Sequence, residues 1–273
     1  EPDELLHYGR DLARLDFMAL IENDDLLTAW LTRAERLRGD GLAERWSEDG
    51  VFVVISGFEY TWQIGYGTQR NHRTVLLPTR GGAMIRWSDA SGPGGDYGTP
   101  EGLKRLAEEL DALLLTQHQR WELADTEREA GLEVVSGWYT YFHNPVYVHR
   151  AWASGRRIAV IGASDSHRRN AGLAGALTGI WSSELTPAGV LHGIRSRRTL
   201  ATQGRRPVVW MELRDERGSR LLLGDHGRMH GRLTAAVHVR VEQTSVPASE
   251  EERLELVELK HGDRVLANWS GAD

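Results

Sequence analysis

Short apolar runs of strand length alternate with helical patterns through the first three-quarters of the chain, predicting an α/β fold with a parallel sheet or barrel. Beyond about Gly204 the pattern changes to alternating apolar and polar residues between turn formers. That change predicts a small antiparallel β domain over 205–273, sandwich-like, behind an α/β barrel over 1–204. A third observation bears on chemistry: several buried runs end in His, Glu or Asp.

Residues 3–14 carry Leu5, Leu6 and Leu12 at helical spacing and predict an amphipathic helix. Residues 15–21 form an apolar run read as a buried strand, with Glu22-Asn23-Asp24-Asp25 directly after it. A helix is expected over about 26–38 and a strand over 51–55, ending in Ser56-Gly57-Phe58-Glu59-Tyr60. Asn71-His72-Arg73 leads into the apolar run 74–77, and the Gly-rich stretch 81–99 reads as a mobile loop. Pro and Glu in the first turn mark a helix over about 100–110. The strand at 112–115 ends in Thr116-Gln117-His118. Two more strands are expected at 131–136 and 157–163, the latter ending in Ser164-Asp165-Ser166-His167. Downstream, 208–214, 221–223, 233–241 and 254–259 read as strands, with a charged turn near Ser249.

At 273 residues the chain is long enough to bury a large core. The net charge of −6 argues against nucleic acid or an anionic membrane surface as the main partner. Without cysteine, disulfides, thiolate catalysis and Cys-based zinc sites are excluded, leaving His and carboxylate as the strong metal ligands. No apolar run has the length to insert across a bilayer. The chain begins with Glu1 rather than Met and shows no signal peptide, so its compartment is open.

The candidate ligands are Glu59, His72, His118, Asp165 and His167, each at or beside the end of a strand-like run. Such positions converge at the mouth of an α/β barrel. His and carboxylate together suit Zn, Mn or Fe, whose bound water becomes a nucleophile near neutral pH. Bland readings stand beside each: Asp165-Ser166-His167 as a polar turn, and His118 or His72 as an isolated structural histidine. Glu59 resists dismissal, because a carboxylate on a buried strand needs a partner. His143 and His149 lie in an aromatic segment with Trp138, Tyr139, Tyr141, Phe142 and Tyr147 that lines a pocket or packs in the core. Ser164 and Ser166 lack a nucleophile-elbow setting, and no Walker-type phosphate loop is present. Arg195-Ser196-Arg197-Arg198 and Arg205-Arg206 read as solvated helix ends, or as contacts to an anionic substrate.

Taken with their surroundings, these motifs resemble the PHP superfamily (polymerase and histidinol phosphatase-like), in particular a branch with a C-terminal β appendage. The resemblance covers nearly the whole chain. Ser56 to Tyr60 is similar to the strand end whose Glu bridges metals, Asn71 to Val75 and Gln117-His118 to the next His-bearing segments, and Gly162 to His167 to the last Asp-x-His motif. The segments 177–181, 184–186 and 197–204 are similar to the run joining barrel to β domain. The resemblance implies a distorted TIM-like (β/α)7 barrel and a metal-dependent hydrolase, a phosphoesterase acting on a small anionic substrate. One to three Zn, Mn or Fe ions would be held by Glu59, His72, His118, Asp165 and His167. Arg73, or an Arg of the 195–198 cluster, would neutralise an anionic leaving group.

The departures are specific. The family's first strand with His-x-His has no match, so a barrel lacking that strand is expected. Its Asp-His after the second strand appears as Glu22-Asn23, where Glu22 retains acceptor chemistry and Asn23 replaces a ligating His. Gln119 stands at the second position of a His-His pair. These changes support a rival reading, a decayed barrel that binds rather than cleaves. An amidase or lactonase would present the same ligands. Nothing in the sequence addresses the oligomeric state.

Overall fold

The computed structural model describes residues 2–23, 25–26, 29–63, 70–85, 99–117, 126–137, 146–167, 169–172, 176–203, 206–241 and 254–271. The chain opens with α1 (Pro2–His7), which runs on as one π-helical turn, Tyr8–Leu12. Then come β1 (Phe17–Asn23), the short pair β2 (Asp25–Leu26) and β3 (Ala29–Trp30), and α2 (Arg33–Trp46). β4 (Val53–Gln63) and β5 (Arg70–Leu77) follow, then α3 (Pro100–Glu109), β6 (Leu113–Gln117), β7 (Glu129–Ser136), α4 (Val146–Ala153) and β8 (Ala159–Ala163).

Six of these strands form one curled sheet, a half-barrel, in the order β1-β4-β5-β6-β7-β8. β1 and β4 are parallel, as are β6, β7 and β8, whereas β5 is antiparallel to both its neighbours. The (β/α)7 expectation is therefore met only as a mixed α/β half-barrel, and the described residues, with five α-helices, do not show a full TIM barrel. Part of the reason is chain length. Only residues 64–69 separate β4 from β5, too few for the dozen-residue crossover that parallel strands need.

Two residue sets sort the faces. Val53, Ile55, Leu76, Leu113, Leu115, Ala159 and Ile161 cluster on the concave face, joined by Phe17 and Ile21. Val190, Leu191 and Ile194 of α5 (Pro187–Arg195) close that cluster at the end where the parallel strands begin. The convex face carries the other helices. Met18, Leu20 and Val54 meet Leu6 and Ala43 of α1 and α2. Phe58, Tyr60, Val75 and Leu114 meet Leu103, Leu106 and Ala107 of α3. Leu132 meets Val148 and Ala151 of α4. Concave and convex residues thus alternate along these strands, as the period of two requires, except on β7, where a register shift against β6 leaves Ala130 in the concave cluster and Leu132 in the convex one.

The helix expected over 26–38 lies further along the chain, at Arg33–Trp46. Its start is set by a capping box in which Thr32 and Glu35 bond each other's backbone N–H groups. The strand expected at 51–55 extends to Gln63, carrying Glu59 inside the strand instead of after it.

β9 (Ala176–Ile180) and β10 (Thr199–Gln203) pair antiparallel beside β8. Thr178 Oγ1 accepts the N–H of Gly162 at 2.9 Å and donates to its carbonyl at 2.7 Å. A Cβ at Gly162 would stand 2.4 Å from the Leu177 carbonyl oxygen, so this approach requires glycine.

The expected C-terminal strands are present as antiparallel sheets. β11 (Pro207–Asp215) lies between β12 (Arg220–Leu222) and β13 (Leu233–Val241), while β14 (Leu256–His261) pairs with β15 (Arg264–Ser270). β15 is an addition to the sequence reading. Ser249 and residues 86–98 of the Gly-rich stretch lie outside the described residues. None of the described helices is long and apolar enough to cross a membrane.

Candidate functional site

The parallel strands all end on the side away from α5, and β5 begins there because it runs the other way. Asn23 at the end of β1, Glu59 and Thr61 on β4, His72 at the start of β5 and Gln117 at the end of β6 therefore meet at one rim. By the alternation fixed by Ile21, Ile55, Leu76 and Leu115, all five share the concave face. The register agrees, with Asn23 opposite Glu59, Thr61 opposite His72 and His72 opposite Gln117.

Their side chains are connected. His72 Nδ1 lies 2.5 Å from Glu59 Oε1 and 3.1 Å from Thr61 Oγ1, and both members of the Glu59–His72 pair are largely buried. Thr61 donates to Asn23 Oδ1 at 3.4 Å. Gln117 Nε2 donates to Thr74 Oγ1 on the same face. An ionised carboxylate only accepts, so Nδ1 of His72 carries the hydrogen in this pair. That arrangement fits a metal-ligating histidine, whose second ring nitrogen is characteristically held by a carboxylate.

Asp165 and His167 follow β8. Asp165 has a left-handed backbone, φ 44°, a conformation Asp tolerates better than most residues. His167 Nδ1 lies 3.0 Å from the Asp165 carbonyl oxygen and 3.6 Å from its carboxylate. Among the described residues no helix begins at Ser164, and Asp165 to His167 stand in irregular chain after β8. His118, Gln119, His143 and most of the aromatic segment lie outside the described residues. Among the described residues no group of three or more His, Asp or Glu side chains is placed to hold a metal ion.

Two expected residues stand elsewhere. Arg73 is on the convex face: its Nε donates to Glu129 Oε2 at 3.0 Å, and Thr116 donates to the other carboxylate oxygen. Both members of that pair are buried. The physical reason is parity, since neighbours on a strand point to opposite faces and His72 points inward.

Glu22 likewise points out from β1 toward α2, one residue out of step with Asn23. A Cβ at Gly39 would lie 2.7 Å from Glu22 Oε1, so the missing side chain makes room for the carboxylate. Burial pushes the Glu22 carboxyl above the usual range, with Arg36 opposing, and Oε2 has no hydrogen-bond partner among the described residues. A raised native value means the folded state binds its proton more tightly, so stability falls as pH rises from 4.5 through the native value. Glu22→Gln is therefore expected to raise Tm by a few degrees near neutral pH. The gain should vanish below about pH 4, and thermal melts across pH that show a constant difference would sink this account.

The basic clusters also have structural work. Arg195 bonds Asp111 at 3.0 Å, Arg197 bonds the Gly224 carbonyl, and Arg206 bonds the carbonyls of Ala13 and Arg14. His149, expected in a pocket or core, meets Asp263 in the β14–β15 turn at 2.9 Å. Thr61 escaped the sequence reading. Counting two residues on from Glu59 would have placed it on the same face.

Comparison with protein-family models, curated proteins and solved structures gives no match to this chain.

Proposed function

We propose that the chain is a metal-dependent hydrolase of PHP type, a phosphoesterase in its closest chemistry. One observation carries the reading: Glu59 and His72 touch on the concave face of a half-barrel, at the rim where its parallel strands end. Carboxylate oxygen and imidazole nitrogen suit Zn, Mn or Fe. Glu59 and His72 are the described pair that would hold such an ion, and the family resemblance adds Asp165 and His167, a second pair after β8, and His118, which lies outside the described residues. When bound, the ion would supply a water of lowered pKa and stabilise negative charge on the substrate. Glu59 would fix the ring of His72, and Thr61 and Asn23 would brace that pair through their hydrogen bonds. Arg73 has no part in this, being held by Glu129 on the other face. The anionic substrate and phosphoester specificity follow from the family resemblance alone.

A second reading is favoured by a specific observation. No three donor groups converge among the described residues, and Asn23 occupies the place of a ligating His. In that reading the barrel is catalytically decayed and binds its ligand.

Elemental analysis after loading with each ion separates the two. Stoichiometric Zn, Mn or Fe is expected in the intact chain, with loss of at least about tenfold in affinity in a Glu59→Ala, His72→Ala variant. A folded chain that takes up none of the three ions would leave the binding-protein reading standing and remove the hydrolase.

A further inference from the structure

Among the described residues no apolar side chain after Ile194 is buried, although β11 and β13 carry an apolar residue at every second position. Val209, Met211 and Leu213 of β11 stand opposite Val239, Val237 and Ala235 of β13, so one face of this sheet is apolar without forming a core. β13 is the edge strand of the sheet among the described residues, and Leu233 at its start is 48% exposed. Its nine residues pair with β11 without a bulge and include neither Lys nor Pro. A long, apolar edge of this kind is a template for pairing with another chain; sheets that stay single blunt such edges with charges, proline or bulges.

The pattern of β13 fits a second copy of itself. In an antiparallel pair of two β13 strands about a two-fold axis at Val237, Val237 meets its own copy and Ala235 meets Val239 on the apolar face. On the other face Ala236 meets His238 and Thr234 meets Arg240. A slip of one residue sets the apolar face of one copy beside the polar face of the other. Moving the axis to Ala236 opposes Arg232 with Arg240 twice, and like charges directly across a strand pair are destabilising. Moving it to His238 sets two imidazoles against each other. The Val237 register avoids all three penalties.

We propose that the chain forms a two-fold dimer in which β13 pairs antiparallel with β13 of a second copy, centred on Val237, to make one six-stranded sheet. This inference is independent of the hydrolase reading. A single strand edge buries less than the roughly 800 Å² per partner of a standard interface, so the dimer is expected to dissociate on dilution.

The absence of cysteine makes the test direct. Val237→Cys places a thiol beside its own copy at the axis. Ala235→Cys and Val239→Cys each lie four residues from their own copies, about 13 Å, too far for a disulfide. Under mild oxidation, at a concentration where the intact chain sediments as a dimer, Val237→Cys is expected to cross-link to itself. Ala235→Cys and Val239→Cys are expected to cross-link only when mixed. Thr234→Arg should weaken dimerisation about fivefold by facing Arg240 of the other copy, and adding Arg240→Glu should restore it. Val237 and Thr234 are not core residues, so both substitutions are expected to leave the fold intact, which circular dichroism checks.

A chain that sediments as a monomer at every concentration leaves the edge to a partner of different sequence and overturns the proposal. Cross-linking of Ala235→Cys with itself marks another register or random collision and overturns it as well. A dimer that Thr234→Arg leaves unchanged, or in which Val237→Cys fails to cross-link, uses another surface and has the same consequence.

Discussion

Replacing Arg36 by alanine is expected to cost about 3–5 kcal/mol of stability, the loss seen when one partner of a buried ion pair is removed. Arg36 is fully buried within α2, and its guanidinium meets Asp40 at 2.8 Å and Ser56 on β4 at 2.5 Å. Asp40 also accepts the Ser56 hydroxyl and the N–H groups of Gly81 and Gly82, each of the latter at 2.8 Å. Burial alone would raise the Asp40 carboxyl, but these donors together with Arg36 hold it below its usual value. The network therefore stabilises the fold above pH 3.8, and its contribution is lost as pH falls through the lowered native value. Arg36→Ala would leave that carboxylate charged and buried without its cation. Urea denaturation gives the number, and a loss under about 1 kcal/mol would show that the network is not a buried ion pair in solution. The Arg36→Met, Asp40→Leu double variant should recover part of the loss, because replacing both charges removes the unpaired one.

Some of this architecture was legible in the sequence because it rests on local signals. Pro100 and Glu101 in the first turn marked α3, and alternation marked β11 and β13. Others were hidden for reasons equally physical. The start of α2 depends on Thr32 and Glu35 bonding each other, whereas residues 26–32 carry apolar residues that mimic a helix. The reversal of β5 depends on the shortness of its connection to β4, and that connection could be recognised only once β4 was seen to run on to Gln63.

The site divides along similar lines. Glu59 and His72 stood out by residue type, and the structure brings them into contact. Asp165 and His167 are close because they are two residues apart, which says little about convergence with Glu59. The face on which a residue falls was the least legible property. Glu22 beside Asn23 and Arg73 beside His72 look interchangeable as a string of letters, yet a one-residue offset on a strand moves a side chain from rim to packing layer.

The same offset yields the second large effect. Arg73 and Glu129 lie on the convex face, with the Arg73 side chain 7% and the Glu129 side chain 0% exposed, and Thr116 completes the carboxylate's bonding. Arg73→Ala is expected to cost about 3–5 kcal/mol by stranding the buried Glu129 charge. Arg73→Lys should cost less but still register, since an ammonium lacks the planar fork that Arg presents to a carboxylate. An Arg that meets substrate would behave in the opposite way, with stability unchanged and only binding of an anion impaired. Chemical denaturation of Arg73→Ala beside Glu129→Gln decides between them. Comparable losses in both variants, with Mn²⁺ affinity intact wherever the fold persists, would place the pair in the framework. A fully stable Arg73→Ala would return Arg73 to the list of substrate contacts and require the sheet face assigned to it to be wrong.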